Sequence, residues 1–157
     1  MSISKQLEQQ LAAAGAGPVS LVAQEGDHSV LCELAAIESL GVSVRLLELK
    51  SKKLDGKTSG ELREIADKLA SKVSYLLEAI APVEVDDESC TIQMRSTPPH
   101  RAENATSYYE VLVTAGAISL RRYNKSRRAA RQAEAFDITR QVLSRLVDDF
   151  CAAAAEV

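Results

Sequence analysis

The residue types that most often carry chemistry are few and widely spaced in this chain. Its 157 residues include two histidines, His28 and His100, and three cysteines, Cys32, Cys90 and Cys151. A nucleophile–histidine pair needs hydrogen-bond contact, and a zinc site needs three or four close ligands. His28 and Cys32, four residues apart, would lie ~13 Å apart in an extended strand. We therefore assign no catalytic, cofactor-binding or metal-binding residue, and we expect no cofactor.

Two further short motifs have a structural explanation. The run Asp86-Asp87-Glu88 suits a hard cation, but it lacks the glycine and the ligand spacing of an EF-hand loop. We interpret it as a solvated turn, because turns select aspartate. The run Gly15-Ala16-Gly17 ends a helical pattern instead of opening one, and no phosphate-binding lysine follows it. Neither motif predicts a cation site or a nucleotide site.

The densest chemical feature is a basic cluster near the end of the chain. It has six members: Arg121, Arg122, Lys125, Arg127, Arg128 and Arg131. Guanidinium groups bind phosphates and carboxylates through paired hydrogen bonds, so the cluster is a candidate patch for an anionic partner. The alternative interpretation is solvated surface. The net charge of −3 and the aromatic content of 4% favour that alternative over nucleic-acid binding.

The strongest structural signal is the stretch from Thr58 to Pro82. Thr58 and Glu61 are spaced as in a capping box, in which each residue satisfies a free N–H group of the other. The apolar positions that follow recur at helical spacing: Leu62, Ile65, Ala66, Leu69, Val73, Leu76, Leu77 and Ile80. Pro82 cannot continue a helix. The pattern predicts one amphipathic helix over residues 59–80, about 33 Å long.

Shorter patterns predict the remaining elements. Alternating apolar and polar residues favour strands over residues 19–24, 30–37, 42–49, 83–85, 90–95, 108–114 and 117–123. Residues 30–40 could instead form a helix, because their propensities permit both structures. A short helix is predicted over residues 4–14, and a last helix is predicted over 137–155 with Asp137 as its N-cap.

Two connecting segments have an unusual composition. Residues 97–106 are polar and contain two consecutive prolines, so we predict a loop there. Residues 124–135 are basic and rich in alanine, and they fit either a loop or a frayed start of the last helix. The composition of the whole chain, 46% hydrophobic and 26% charged, is that of one ordinary globular domain over residues 1–157.

The element order is helix, three strands, helix, four strands, helix. Strands that follow one another closely pair antiparallel, and the long helices must cover the sheet. We predict an α+β fold with a largely antiparallel sheet of about six to seven strands, two long covering helices over residues 59–80 and 137–155, and a short N-terminal helix. By element order alone, this layout resembles that of small dimeric secretion chaperones. It also resembles the TATA-box-binding-protein pattern of a curved sheet under two helices.

The location of the protein is predicted from what the sequence lacks. The first residues have no apolar signal core, and no run approaches the ~18 apolar residues of a membrane span. The cysteines are odd in number and widely spaced, which is typical of free thiols in a reducing compartment. We therefore expect a cytoplasmic protein without a membrane partner.

No motif determines the function, so three hypotheses remain open. The leading one is a non-enzymatic protein–protein interaction module, adaptor or chaperone-like, that forms a homodimer and binds another protein through its long helix or exposed strand edges. The second is a nucleic-acid-associated protein that uses the basic cluster of residues 121–131. The third is an enzyme or small-ligand protein with a site on the sheet face that uses Arg95, Tyr109 or Glu110.

Overall fold

One antiparallel sheet with three helices is described by a computed structural model that covers residues 1–155. The helices are α1 (Ile3–Ala13), α2 (Ser59–Lys72) and α3 (Arg140–Ala155), and two short 3₁₀ turns span Lys52–Leu54 and Ser74–Leu76. The strands are β1 (Val19–Glu25), β2 (His28–Ile37), β3 (Gly41–Ser51), β4 (Ile80–Asp86), β5 (Thr91–Ser96), β6 (His100–Arg101), β7 (Ala105–Thr114), β8 (Ala117–Ser126), β9 (Gln132–Glu134) and β10 (Phe136–Thr139).

The central strands β3 and β8 pair with each other over only part of their length. Its main path runs β1-β2-β3-β8-β7-β5-β4. The second half of β3 pairs with the start of β8, whereas its first half, from Gly41 to Val44, pairs with β10. Strand β9 pairs with β8 from Arg122 to Asn124. The segment β9–β10 therefore forms a wedge between β3 and β8 where these strands diverge.

Only one face of the sheet is covered by helices. Alternation along the strands sends side chains such as Cys32, Val111 and Met94 into a core that also holds the apolar stripes of the three helices. We call this side the covered face. The opposite strand positions, such as Leu46 and Leu112, lie outside that core on the uncovered face. The three helices therefore pack against one face only.

The edge of β1 is already occupied by side chains of α1. Gln6 donates to the Gln24 carbonyl oxygen at 2.8 Å and accepts from the Gln24 N–H at 3.2 Å. Gln10 donates to the Val22 carbonyl oxygen at 2.8 Å. At the opposite edge, β4 contains Pro82, which has no N–H to offer a further strand. Both edges are protected against strand addition, so the expected binding through free edges finds little support.

The helix predicted over residues 59–80 is wrong in its last third. The capping box of Thr58 and Glu61 is confirmed, but α2 ends at Lys72 and is about 21 Å long. A 3₁₀ turn follows, and Leu77 then adopts a left-handed backbone with φ of 66°. Ile80 already belongs to β4 and pairs with Ser96. The apolar positions are buried as a helical stripe would require, except Leu77, which is 91% exposed, and strand pairing imposes an extended backbone directly upstream of Pro82.

The last helix begins later than predicted. Asp137 lies in β10, and the side chain that accepts from the first turn of α3 is the hydroxyl of Thr139, from Val142 N–H at 3.1 Å. Long-range pairing of β10 with β3 overrides the local helical pattern. The three helices have 11, 14 and 16 residues, so the two that were expected to be long are both shorter than predicted.

Strands are also more numerous than predicted, although the α+β class and the largely antiparallel sheet are confirmed. The described residues contain ten strands instead of seven, because β6 lies in the predicted loop 97–106, β9 in the basic segment 124–135 and β10 at the predicted start of the last helix. Residues 30–37 form a strand, which excludes the helical alternative for them.

Among the helices of residues 1–155, none combines the length and the apolar composition needed to cross a membrane.

Candidate binding site on the uncovered sheet face

The centre of the candidate site is set by the register of three strands. In the β7–β8 hairpin, Glu110 lies opposite Arg121 and Tyr108 lies opposite Tyr123. On its other side, Glu110 lies opposite Arg95 of β5. Directly opposed side chains in antiparallel strands are close neighbours, so one carboxylate lies between two arginines on the same face. The turn at residues 115–116, which the sequence predicts, establishes this register.

Glu110 is buried and is held by several donors. Its side chain is 4% exposed, and its Oε2 accepts from Arg131 Nη1 at 2.7 Å and from Gln93 Nε2 at 2.9 Å. Arg95 Nε lies 3.9 Å from the same oxygen. A carboxylate removed from water needs such partners, because an unpaired buried charge is strongly destabilising.

Two of these arginines are stacked on tyrosines. The guanidinium of Arg131 lies 3.9 Å from the ring centroid of Tyr123, and that of Arg95 lies 4.9 Å from the centroid of Tyr108. The two rings are themselves 6.0 Å apart. Hydrogen bonds to Tyr108 and Glu110 raise the pKa of Arg131, so it remains charged over the whole accessible range of pH. Stacking fixes the orientation of guanidinium planes and so prepares them for a ligand.

The Glu110 cluster carries an excess of positive charge. We use this name for six residues: Glu110, Arg95, Arg121, Arg131, Tyr108 and Tyr123. Three arginines surround one carboxylate, which compensates one of them. Arg95 and Arg131 have side chains 41% and 40% exposed, and Arg121 is exposed as well. Nε of Arg95 is a buried donor that has no hydrogen-bond acceptor within the described part of the chain.

Adjoining hollows extend from the cluster across the uncovered face. One of about 230 Å³ is lined by Glu110, Leu112, Ser119 and Arg121. A larger one of about 520 Å³ opens where the wedge separates β3 from β8, and it shares Arg121 with the first. Its other lining residues are mainly small, apolar or oppositely charged: Glu33, Ala35, Arg45, Leu46, Ala133, Glu134 and Ala135. Arg121 therefore stands at the junction of a trough that crosses several strands.

A second network of similar composition lies on the covered side. Arg122 Nη2 is 3.0 Å from Glu78 Oε2, and its Nε is 3.1 Å from Glu134 Oε1. Its guanidinium also lies 4.5 Å from the ring centroid of Tyr109, which packs edge-on against Phe136. The Arg122 side chain is only 12% exposed. This network joins the segment after α2 to β8 and β9, and it is part of the packing of the fold.

The predicted basic patch is thus divided among three places. Arg121 and Arg131 belong to the Glu110 cluster, and Arg122 lies on the opposite face. The other three members, Lys125, Arg127 and Arg128, are exposed near the β8–β9 turn. There, Arg101, Lys125 and Arg127 line a separate hollow of about 220 Å³. We call this region the distal tip, and it includes Arg101.

Of the residues proposed for a site on the sheet face, the structure brings two together. Arg95 and Glu110 lie in one cluster, whereas Tyr109 is buried on the covered side. Sequence reasoning missed Tyr108, Tyr123 and Gln93. The signal for the two tyrosines was present, because pairing the predicted hairpin around residues 115–116 places them opposite each other. Gln93 reaches Glu110 from β5, a neighbour that the sequence pattern does not identify.

His28, Cys32 and Cys151 have surroundings that suit a structural role. His28 Nδ1 lies 2.9 Å from Ser51 Oγ, but Ser51 is 4% exposed and already accepts from the Lys53 N–H. Burial raises the pKa of Cys32 to about 12 and that of Cys151 to about 11, so both remain thiols at neutral pH. Within residues 1–155, no group of three or more histidine, cysteine or carboxylate side chains is arranged to hold a metal ion.

An apolar hollow of about 460 Å³ lies elsewhere, between the β2–β3 turn and the start of α3. It is bordered by Leu40 and Leu77, which are 83% and 91% exposed. Its lining includes Ile138 and Val142 but no arginine or tyrosine. It therefore offers none of the oriented donors that distinguish the Glu110 cluster.

Comparisons of the chain with protein-family models, with curated proteins and with solved structures find no match in any of the three. The resemblance to secretion chaperones and to the TATA-box-binding protein is therefore one of element order alone. What the site can do has to be inferred from its own geometry.

Proposed function

We propose that this chain is a protein-interaction module that binds a segment of another protein on the uncovered face of its sheet. The observation that supports this most directly is the trough on that face, with oriented arginines at one end. Arginine and tyrosine are the residue types that dominate binding energy at protein interfaces, and here they are already packed together. The non-enzymatic adaptor or chaperone-like role predicted from the sequence is in keeping with this surface.

The charge pattern of the trough favours a polypeptide over a nucleic acid. Arg45 and Arg121 share the lining of the larger hollow with Glu33 and with apolar Leu46. A nucleic-acid groove presents one sign of charge to a regular polyanion, which carboxylates would repel. A protein segment can instead match a mixed surface residue by residue.

An enzymatic use of the described groups finds less support. The pair His28–Ser51 has the residue types of a nucleophile and a base, but the serine is buried and its oxygen is occupied. Nucleophilic catalysis requires a hydroxyl that a substrate can reach. The thiols of Cys32 and Cys151, with their raised pKa values, are poor nucleophiles at neutral pH.

Site-specific cross-linking tests the proposal. A photoreactive residue at Ser119, which lines the trough, should form adducts with the same protein partner in repeated native-lysate experiments, before and after nuclease treatment. The matched control places the same residue at exposed Lys68 on α2, where few adducts are expected. Equal labelling from both positions, or loss of the adducts after nuclease treatment, would contradict a protein partner on the uncovered face.

A homodimer belongs to the same proposal, and the element-order resemblance to dimeric secretion chaperones supports it. Light scattering of the purified protein should give about twice the chain mass of 16.9 kDa. A mass of one chain at high protein concentration would argue against self-association, but it would leave the binding of another protein intact.

A nucleic-acid partner is a second candidate, which one observation favours. The distal tip places Arg101, Lys125, Arg127 and Arg128 on exposed loop and strand-end positions. Replacing both Arg127 and Arg128 by glutamate should abolish such binding, and binding by the wild type should weaken steeply with added salt. Indifference to salt would exclude this candidate. Arg131 should be kept in these variants, because its pairing with Glu110 makes its replacement a change to the fold.

A further inference from the structure

We infer that the protein segment bound on the uncovered face is acidic, and that one of its carboxylates pairs with Arg121 beside the Glu110 cluster. This inference rests on the function proposed above and adds the chemistry of the partner. It follows from the charge balance of the cluster, from its unused donors and from the composition of the adjoining trough.

The charge balance leaves positive charge at the junction of the trough. Glu110 lies between Arg121 and Arg95 in register, and its Oε2 is engaged by Arg131 and Gln93. Three guanidinium groups thus face one carboxylate within the cluster. Two other carboxylates that line the hollows, those of Glu48 and Glu134, are paired outside the cluster, with Lys50 and Arg122. The side chain of Arg121 forms no ion pair or hydrogen bond in the structure described for residues 1–155, although it lines the same hollow as Glu110.

The arginines also have donors to spare. A guanidinium carries five N–H donors. On Arg131, the hydrogen bonds come from Nη1, which donates to Glu110 Oε2 at 2.7 Å and to the Tyr108 hydroxyl at 3.4 Å. The side chain is nevertheless 40% exposed and is held against Tyr123. A ligand carboxylate can accept from such a fixed plane without the entropy loss of ordering a free arginine.

The rest of the trough selects an acidic protein segment over a uniform polyanion. Glu48 joins Glu110 in lining the smaller hollow, and Glu33 lines the larger one. These carboxylates would repel the regular phosphates of a nucleic acid. Leu112 and Leu46 provide apolar contacts between them. A segment in which acidic and apolar residues are interspersed can place a carboxylate at Arg121 and keep its other charges away from Glu48.

Fluorescence anisotropy with a defined probe tests the inference. The probe is a labelled peptide of about twelve residues that alternates glutamate and alanine, long enough to cross the sheet at ~3.3 Å per residue. The controls are the matching glutamine–alanine peptide and a single-stranded RNA of equal length. We expect saturable binding of the acidic peptide, about tenfold weaker binding of the glutamine peptide, and weaker binding of the RNA.

Variants then locate the contact. Arg121→Gln should weaken binding of the acidic peptide about fivefold to tenfold, whereas Arg127→Gln combined with Arg128→Gln should change it less than about twofold. Arg121 is exposed and without a partner, so thermal unfolding should confirm that Arg121→Gln folds as the wild type does. Equal binding of the two peptides, tighter binding of RNA through Arg121, or no effect of Arg121→Gln would each overturn the inference.

The two proposals fail in different ways. If the cross-linked adducts at Ser119 persist unchanged in Arg121→Gln, the uncovered face binds protein but its partner is not anchored by a carboxylate there. If wild-type protein forms no adduct at Ser119, the proposed function itself fails. Loss of the adducts in Arg121→Gln, together with their retention in the double variant of Arg127 and Arg128, would support both.

Discussion

The β7–β8 hairpin builds two clusters from the same residue types on opposite faces of one sheet. On the covered face, Arg122 is stacked on Tyr109 and paired with both Glu78 and Glu134. On the uncovered face, Arg131 is stacked on Tyr123 and paired with a single glutamate. The covered cluster thus has two carboxylates for one arginine, and the uncovered cluster has three arginines for one carboxylate.

The two clusters differ in how far their arginines are exposed to solvent, and so in whether these arginines stabilise the fold or can contact a ligand. Arg122 is 12% exposed, so its charge is compensated within the fold and acts as a cross-link between elements. Arg95 and Arg131 are 41% and 40% exposed, and water or a ligand can reach them. Removing one member of a buried ion pair leaves the other charge buried without a partner, which lowers stability. An exposed ion pair contributes little to stability. We therefore expect mutation of Arg122 to affect folding and mutation of exposed Arg121 to affect binding, whereas the buried Glu110 contributes to both.

At neutral pH, the largest expected effect is on stability, at Arg122. Arg122→Leu leaves Glu78 and Glu134 without their cation and should lower the free energy of unfolding by about 3 kcal/mol, measured by urea denaturation. The matched control is the preceding residue, because Arg121→Leu should change stability by less than about 0.5 kcal/mol. Equal losses at the two positions would remove the distinction between the faces.

Glu110→Gln should move stability and affinity in opposite directions. The amide keeps the shape of the side chain but loses the charge that Arg131 and Arg95 face, so stability should fall by about 1–2 kcal/mol. Because the local positive charge rises, binding of the acidic probe peptide should strengthen severalfold. Anisotropy titration and urea denaturation of the same variant measure both. A loss of affinity together with stability would mean that Glu110 supports the site only by holding its shape.

The covered face should also show a defined sensitivity to alkaline pH. Burial, and next the charge of Glu33, raise the pKa of the Cys32 thiol from its ordinary 9.0 to about 12. The folded state therefore holds this proton more tightly than the unfolded state does. The resulting stability is complete below pH 9 and is lost as the pH rises towards 12, by up to about 1.4 kcal/mol per pH unit.

A Cys32→Val variant isolates that contribution. Valine keeps an apolar side chain in the core but cannot ionise, so its unfolding free energy should fall less steeply above pH 9 than that of the wild type. Cys151, whose pKa is raised to about 11, and Tyr75, whose pKa burial raises further still, should cause a residual decline in both proteins. Identical slopes for wild type and variant in urea titrations would exclude Cys32 as the source.

The sequence predicted the local parts of this architecture well. The capping box of Thr58 and Glu61 depends on residues three positions apart, and the hairpin around residues 115–116 depends on its turn and on alternating strands. The same alternation separates Arg121 from Arg122 onto opposite faces. The predicted strand over residues 117–123 therefore already implies that Arg121 and Arg122 cannot belong to one patch.

What the sequence did not predict depends on contacts between distant segments. Helix α2 ends at Lys72, and Ile80 pairs with Ser96 after a 3₁₀ turn. No local spacing distinguishes a continuous helical stripe from a helix followed by a turn and a strand. Arg131 meets Glu110 because β9 turns back along β8. Residue types alone therefore identified both Glu110 and the arginines, but as parts of separate hypotheses. Their meeting in one cluster depends on the strand pairing.

The smallest expected effect is at the distal tip. A negligible effect there would show that the position of an arginine, and not the total positive charge, determines binding. Replacing Arg127 and Arg128 together by glutamine removes two exposed charges from the β8–β9 turn, where neither is paired with a carboxylate in the structure of residues 1–155. Stability should change by less than about 0.5 kcal/mol, and binding of the acidic peptide should be nearly unchanged. If this variant instead lost peptide affinity as strongly as Arg121→Gln, the decisive property would be the summed charge of the basic cluster. In that case, the stacked and oriented arginines around Glu110 would have no special role in binding.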